Sequence, residues 1–96
     1  MKQYLMKVPN GKLLKVNLNI KDNKIEQLKI LGDFFLYPEE AITKIEDSLI
    51  GIKKDKLLSK IKDIIKKNSI NILGFSAKNL NELIQKGFED EMETNS

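Results

Sequence analysis

Gly32-Asp33-Phe34-Phe35-Leu36-Tyr37-Pro38-Glu39-Glu40 divides this chain into two unlike parts. Before it, apolar residues alternate with polar ones, the period of a half-buried strand; after it they recur three and four residues apart, the period of a helix. The seam itself joins a Gly-Asp step to two phenylalanines and a proline. Loops at the ends of elements are held by the scaffold without being consumed by its core, so a functional surface is expected here.

Working toward the N-terminus, Leu28 and Ile30 mark a third strand, with Ile25 out of phase near its start. Asp22-Asn23 supplies a tight turn from residues that tolerate left-handed backbone. Leu14, Val16, Leu18 and Ile20 share one face of a second strand, while Lys15, Asn17 and Asn19 keep the other wet. Pro9-Asn10-Gly11-Lys12 then predicts a hairpin, because Asn-Gly accepts the positive φ of a two-residue turn. Tyr4, Met6 and Val8 alternate in a first strand. Residues 1–31 therefore predict an antiparallel β-meander.

Working toward the C-terminus, residues 38–88 predict a helical part. Pro38 suits the first position of a helix whose first turn holds Glu39 and Glu40. Its buried stripe is Ile42, Ile45 and Leu49, and Gly51 is a left-handed stop. A second helix, capped by Asp55, carries Leu57, Leu58, Ile61, Ile64 and Ile65, with Asn68 closing it. The form of Ile70–Phe75 is left open by periodicity. Ser76 caps a third helix, Phe75 can staple onto Leu80, and Leu80, Leu83, Ile84 and Phe88 form its core stripe. The acidic residues 89–96 are expected to fray. The expectation is a single α+β domain over 1–96: a three-stranded antiparallel sheet followed by three helices packed on one face (βββααα).

Composition removes several functions. The 96 residues contain no cysteine and no histidine. That excludes disulfides, thiolate nucleophiles and the usual zinc and haem ligands, and removes the one side chain that titrates near neutrality unperturbed. All 17 basic residues are lysines, which disfavours the bidentate reading of phosphate and guanine that arginine performs. No run approaches the roughly 18 apolar residues of a membrane span, and no secretory leader pattern opens the chain; the expected location is the cytoplasm. The net charge of +3 is uneven. Residues 1–31 hold seven lysines against two acids, whereas residues 32–52 hold one lysine against five acids. Such a basic sheet is either a solvated surface or a docking face for an acidic partner.

The chemical motifs are sparse. Asn10-Gly11-Lys12 lacks the glycine-rich frame of a phosphate loop and reads as a turn. Glu39-Glu40 and Glu46-Asp47 are sequence neighbours, which do not face each other on a helix, so neither is an acid/base couple. Phe34 and Phe35 serve either as core and corner residues or as exposed stacking and docking aromatics. Asp33 either caps the turn or first helix, or belongs to the exposed surface.

The order Val8-Pro9-Asn10-Gly11-Lys12-Leu13, then Gly32-Asp33-Phe34-Phe35, Pro38-Glu39-Glu40, Ile45-Glu46, and Ile72-Leu73-Gly74-Phe75-Ser76 with Asn79-Leu80, resembles the C-terminal accessory domain of the lipoate–protein ligases, in the form made as a separate small protein. The resemblance runs from about residue 3 to residue 85. It implies a fold similar to iron–sulfur scaffold and sulfur-acceptor proteins, whose cysteines are missing here. It also implies a function: a non-catalytic subunit that binds a catalytic ligase subunit as a heterodimer and enables ATP-dependent activation of lipoate to lipoyl-adenylate. A lipoyl-domain acceptor is then an indirect partner. The Arg-Arg, triple-glycine and lysine motifs of the catalytic domain are absent, so this chain is not the whole ligase. ATP, Mg2+ and lipoate are expected through the complex, and no cofactor on this chain alone. The expected partner interface is Gly32, Asp33, Phe34, Phe35 and Pro38, with Lys12 and Lys15 facing either ATP phosphates or an acidic partner. The competing readings are a lysine-rich nucleic-acid module, or a scaffold of the same fold serving another partner.

Overall fold

The structure is a computed structural model and describes residues 1–9 and 12–94. Three strands, β1 (Lys2–Val8), β2 (Lys12–Lys21) and β3 (Lys24–Gly32), form an antiparallel sheet in that order. The expected Asn10-Gly11 turn lies outside the described residues; Val8 opposite Lys12 is the last pair before it. Asp22 and Asn23 take φ of 54° and 62°, as the second turn demands.

The phase problem at Ile25 is solved by an irregularity. Asn19 pairs with Gln27 and Ile20 with Ile25, so the β2–β3 register shifts there. One extra residue on β3 flips the side-chain parity. Ile25, Leu28 and Ile30 are thus all buried on one face with Leu14, Val16 and Leu18.

Three helices cover that face: α1 (Ala41–Leu49), α2 (Leu57–Lys67) and α3 (Ala77–Thr94). Helix α1 packs on β3, α3 packs on β1 and β2, and α2 sits between the other two helices. Ile45, Leu49, Leu57, Ile61, Leu80, Leu83 and Ile84 are completely buried among them. Gly87 lets α3 settle on the sheet, since a Cβ there would run into Leu18.

Helix α1 starts three residues later than the proline suggested. The segment around Tyr37 is drawn out as a strand, so Pro38–Glu40 form only a turn, with the Ala41 N–H on the Pro38 carbonyl at 3.0 Å. Glu39 and Glu40 therefore precede the helix, and its first turn holds no acid. Gly51, with φ 84°, follows the helix as expected. Asp55 does not cap α2: it lies in a 3-10 turn, Lys54–Lys56, that leads into the helix without a side-chain cap. Asn68 does close it, donating to the Ile64 carbonyl at 2.9 Å. The N-terminus of α3 carries a reciprocal box. The Asn79 N–H donates to Ser76 Oγ (3.1 Å) and the Ser76 N–H to Asn79 Oδ1 (2.9 Å).

Beyond Glu89, where the sequence predicts fraying, the helix runs on to Thr94; residues 95–96 lie outside the described residues. The hydroxyl of Tyr4 donates to Asp90 at 2.7 Å and ties this turn to β1. Burial pushes the Tyr4 phenol up to about 12, reinforced by that bond and by the negative charges of Asp90 and Glu91.

The sheet's two edges are treated differently. The β3 edge is closed: Glu46, itself buried, accepts the Ile30 N–H at 2.7 Å, and Ile25 exchanges backbone bonds with Gly51 and Ile52. No backbone bond covers the outer edge of β1 among the described residues.

Candidate functional site: an apolar ribbon beside the hairpin end

The seam forms a second, two-stranded sheet. Strand β4 (Phe35–Tyr37) pairs antiparallel with β5 (Asn71–Leu73), which settles the form of the 70–75 segment. Alternation sends Leu36 into the core and turns Phe35 and Tyr37 outward. Leu73 stands directly across from Phe35. The exposures are 73% for Phe35, 73% for Tyr37 and 71% for Leu73, so three large apolar side chains share one uncovered face. Exposed clusters of this kind mark interaction sites more often than isolated surface leucines do.

The backbone around the ribbon is held from both sides. Gly32 has φ 144°, and a Cβ there would collide with the Leu13 carbonyl oxygen. That oxygen accepts the Asp33 N–H at 2.9 Å, fastening the seam to β2. Gly74, with φ 118°, lies against Phe34; a Cβ would come within 2.9 Å of the Phe34 Cβ. Phe34 turns edge-on to Phe75, ring centroids 4.9 Å apart at 83°. The two phenylalanines thus divide the alternatives. Phe34 is a half-buried structural anchor and Phe35 is the exposed one. Asp33 is exposed and does not cap α1, whose cap position is Glu40. Pro38 is half-buried after a cis peptide bond.

A groove of about 600 Å³ adjoins the ribbon, lined by Val8, Pro9 and Lys12 from the hairpin end, Phe35 and Leu73 from the ribbon, and Ser76 from the start of α3. Lys12 and Phe35 therefore line one groove. Lys15 does not join them: it lies on the other face of β2, between Leu5 and Leu31. Tyr37 and Leu73 were not expected at the site. Their signal is the alternation Phe35-x-Tyr37 and the apolar Ile72-Leu73 before Gly74, which only the β4–β5 pairing makes legible. Among the described residues no group of three or more carboxylates gathers as a metal site. What the ribbon and groove offer is apolar contact area with one ammonium at the rim.

The architecture is a three-stranded sheet under three helices, with a fastened apolar ribbon and groove at its seam. The chain belongs to the family described as the bacterial lipoate protein ligase C-terminus, whose model matches residues 6–85. It is 39% identical over 51 residues to lipoate-protein ligase A subunit 2 of Thermoplasma acidophilum; the match covers 53% of this chain and about half, 54%, of that relative. It is also similar to a chain in the structure of a bi-partite lipoate protein ligase and its E2 lipoyl domain from the same organism. That likeness has a TM-score of 0.77 and 28% identity, covering 86% of this chain and 92% of the other. No helix among the described residues is long and apolar enough to cross a membrane.

Proposed function

We propose that this chain is the accessory subunit of a two-component lipoate–protein ligase, working in the cytoplasm. It binds a catalytic subunit through the outward face of the β4–β5 ribbon. The observation that carries this reading is the exposed trio Phe35, Tyr37 and Leu73 on a backbone fixed by Gly32 and Gly74, in a chain of the ligase C-terminal family.

The mechanism is conformational. Adenylation of a carboxylate requires flexible loops to order around charged phosphates and to exclude water. A subunit that binds the closed catalytic domain more tightly than the open one shifts the population toward closure without contributing a reacting group. ATP, Mg2+ and lipoate are held by the complex, and the lipoyl group then passes from the adenylate to a lysine of a lipoyl domain, with AMP leaving. Phe35 supplies the central apolar anchor and Lys12 a charged rim contact.

Reconstitution tests the reading. Lipoyl-adenylate formation by the catalytic subunit is measured with and without this chain, and strong stimulation is expected. An unchanged rate with the chain in excess overturns the proposal.

A further inference from the structure

The three-stranded sheet has one held edge and one open edge. On β3, Glu46 takes the Ile30 N–H, and Ile25 exchanges bonds with Gly51 and Ile52. Strand β1 is the opposite case. Its residues pair with β2 without a register break, from Lys2 against Leu18 to Val8 against Lys12. No proline interrupts it; Pro9 comes only after its last residue. Every second residue of β1 therefore directs its N–H and C=O away from β2, and among the described residues no backbone group meets them. Tyr4 and Met6 lie half-buried on the helix-covered face, while Leu5, at the strand's midpoint, faces away and is 54% exposed. A straight edge of this length is a template for another strand.

We propose that β1 pairs antiparallel with β1 of a second copy of this chain, about a two-fold axis at Leu5, so that the two sheets become one. The strand's own side chains carry the register. Centring on Leu5 sets Leu5 against its counterpart, Tyr4 against Met6 of the second copy, Gln3 against Lys7 and Lys2 against Val8. Every residue of the strand is paired, and no lysine meets a lysine. Opposed residues share a face, so both helical layers fall on the same side and Tyr4 and Met6 cover one another. Sliding one strand by a single residue would send the two helical layers to opposite sides. Sliding it by two either sets Gln3 against Pro9, which has no N–H, or leaves Val8 unpaired. The pairing also closes on itself. Each copy contributes its open edge, and the joined sheet is bounded by two β3 strands already held by Glu46, Gly51 and Ile52. The contact is thus isologous and yields a dimer, not a fibre. A foreign strand would satisfy the same backbone groups; a second copy satisfies the side chains as well. Phe35, Tyr37 and Leu73 take no part in it, so the inference goes beyond the ligase reading and does not rest on it.

Sedimentation equilibrium of the full chain, from micromolar to millimolar concentration, tests this, and a dimer is expected. Leu5→Lys sets two ammonium groups against each other on the axis and is expected to weaken association roughly tenfold. Its circular dichroism is expected to match wild type, since Leu5 is exposed. Gln3→Glu faces Lys7 of the second copy and is expected to tighten association severalfold at low salt. The chain has no cysteine, so Leu5→Cys is a clean crosslinking probe. Opposed residues of an antiparallel pair have Cα atoms about 4.5–5.5 Å apart, within disulfide reach. Mild oxidation is expected to give a covalent dimer from Leu5→Cys and none from Leu73→Cys on the ribbon. The proposal is overturned if the wild-type chain stays monomeric throughout, or if Leu5→Lys associates as tightly as wild type. A crosslink through Leu73→Cys and not Leu5→Cys also overturns it, by making the ribbon the contact. So does a monomer whose β1 amides gain protection from hydrogen exchange only when the catalytic subunit is added, since the edge would then take a foreign strand.

Discussion

Gly32 is the position where backbone geometry constrains the site most. Replacing it with alanine drives a methyl group into the Leu13 carbonyl and strains a positive φ. The loss is expected to exceed about 1 kcal/mol, with the seam loosened from β2; urea unfolding gives the number. Glu46 offers a second check. Glu46→Ala leaves the buried Ile30 N–H without its acceptor, for a loss of about 1–3 kcal/mol. Glu46→Gln keeps a carbonyl oxygen in place and is expected to lose distinctly less. Neither role is written in local sequence. Gly32 was legible as part of the seam, but the oxygen it must clear belongs to a residue nineteen positions away. Glu46 was weighed only as a neighbour of Asp47, because periodicity marks only apolar residues as core, and its partner is a backbone group on a separate strand.

Among the elements, the ribbon bears on the proposed docking, and the contact of α3 with β1 on the response to alkaline pH. Phe35→Ala and Tyr37→Ala remove exposed surface, so thermal stability is expected to hold within about 0.5 kcal/mol. Affinity for the catalytic subunit is expected to fall by about 2 kcal/mol for the more central of the two. Full assembly of the double variant, measured by sedimentation, would remove the ribbon from the interface. The Tyr4–Asp90 bond gives a separate prediction. The folded chain holds the phenolic proton more tightly than the unfolded chain, whose value is near 10. Its stabilising contribution is therefore intact below pH 10 and lost as pH rises from 10 to about 12. Tyr4→Phe is expected to flatten the alkaline decline relative to wild type, as read from unfolding midpoints across that window. Elements with strong periodicity were legible from sequence: β2, α2 and the body of α3. The short strands β4 and β5 were not. Three residues are too few for a period, and each exists only because the other lies alongside. The start of α1 was misplaced for the same reason, since Pro38 is a good first helical residue only if nothing holds its predecessor in a strand.

For the whole molecule, the meander and the helical layer followed from pattern alone, and even the register shift at Ile20–Ile25 had its trace in one isoleucine out of step. The separation of Lys12 from Lys15 was not foreseen, although strand alternation requires residues three apart to face opposite ways. A consequence reaches the way this protein is made. Helix α3 rests on β1 and β2, with Gly87 seated on Leu18 and Tyr4 bonded to Asp90. Strands β1 and β2 thus wait for residues synthesised well after them, Asp90 coming 86 positions after Tyr4, before their oily side is roofed. During that interval nascent chains crowded on one messenger present sticky, unshielded hairpins to each other, and slow translation through the final helix would lengthen their exposure.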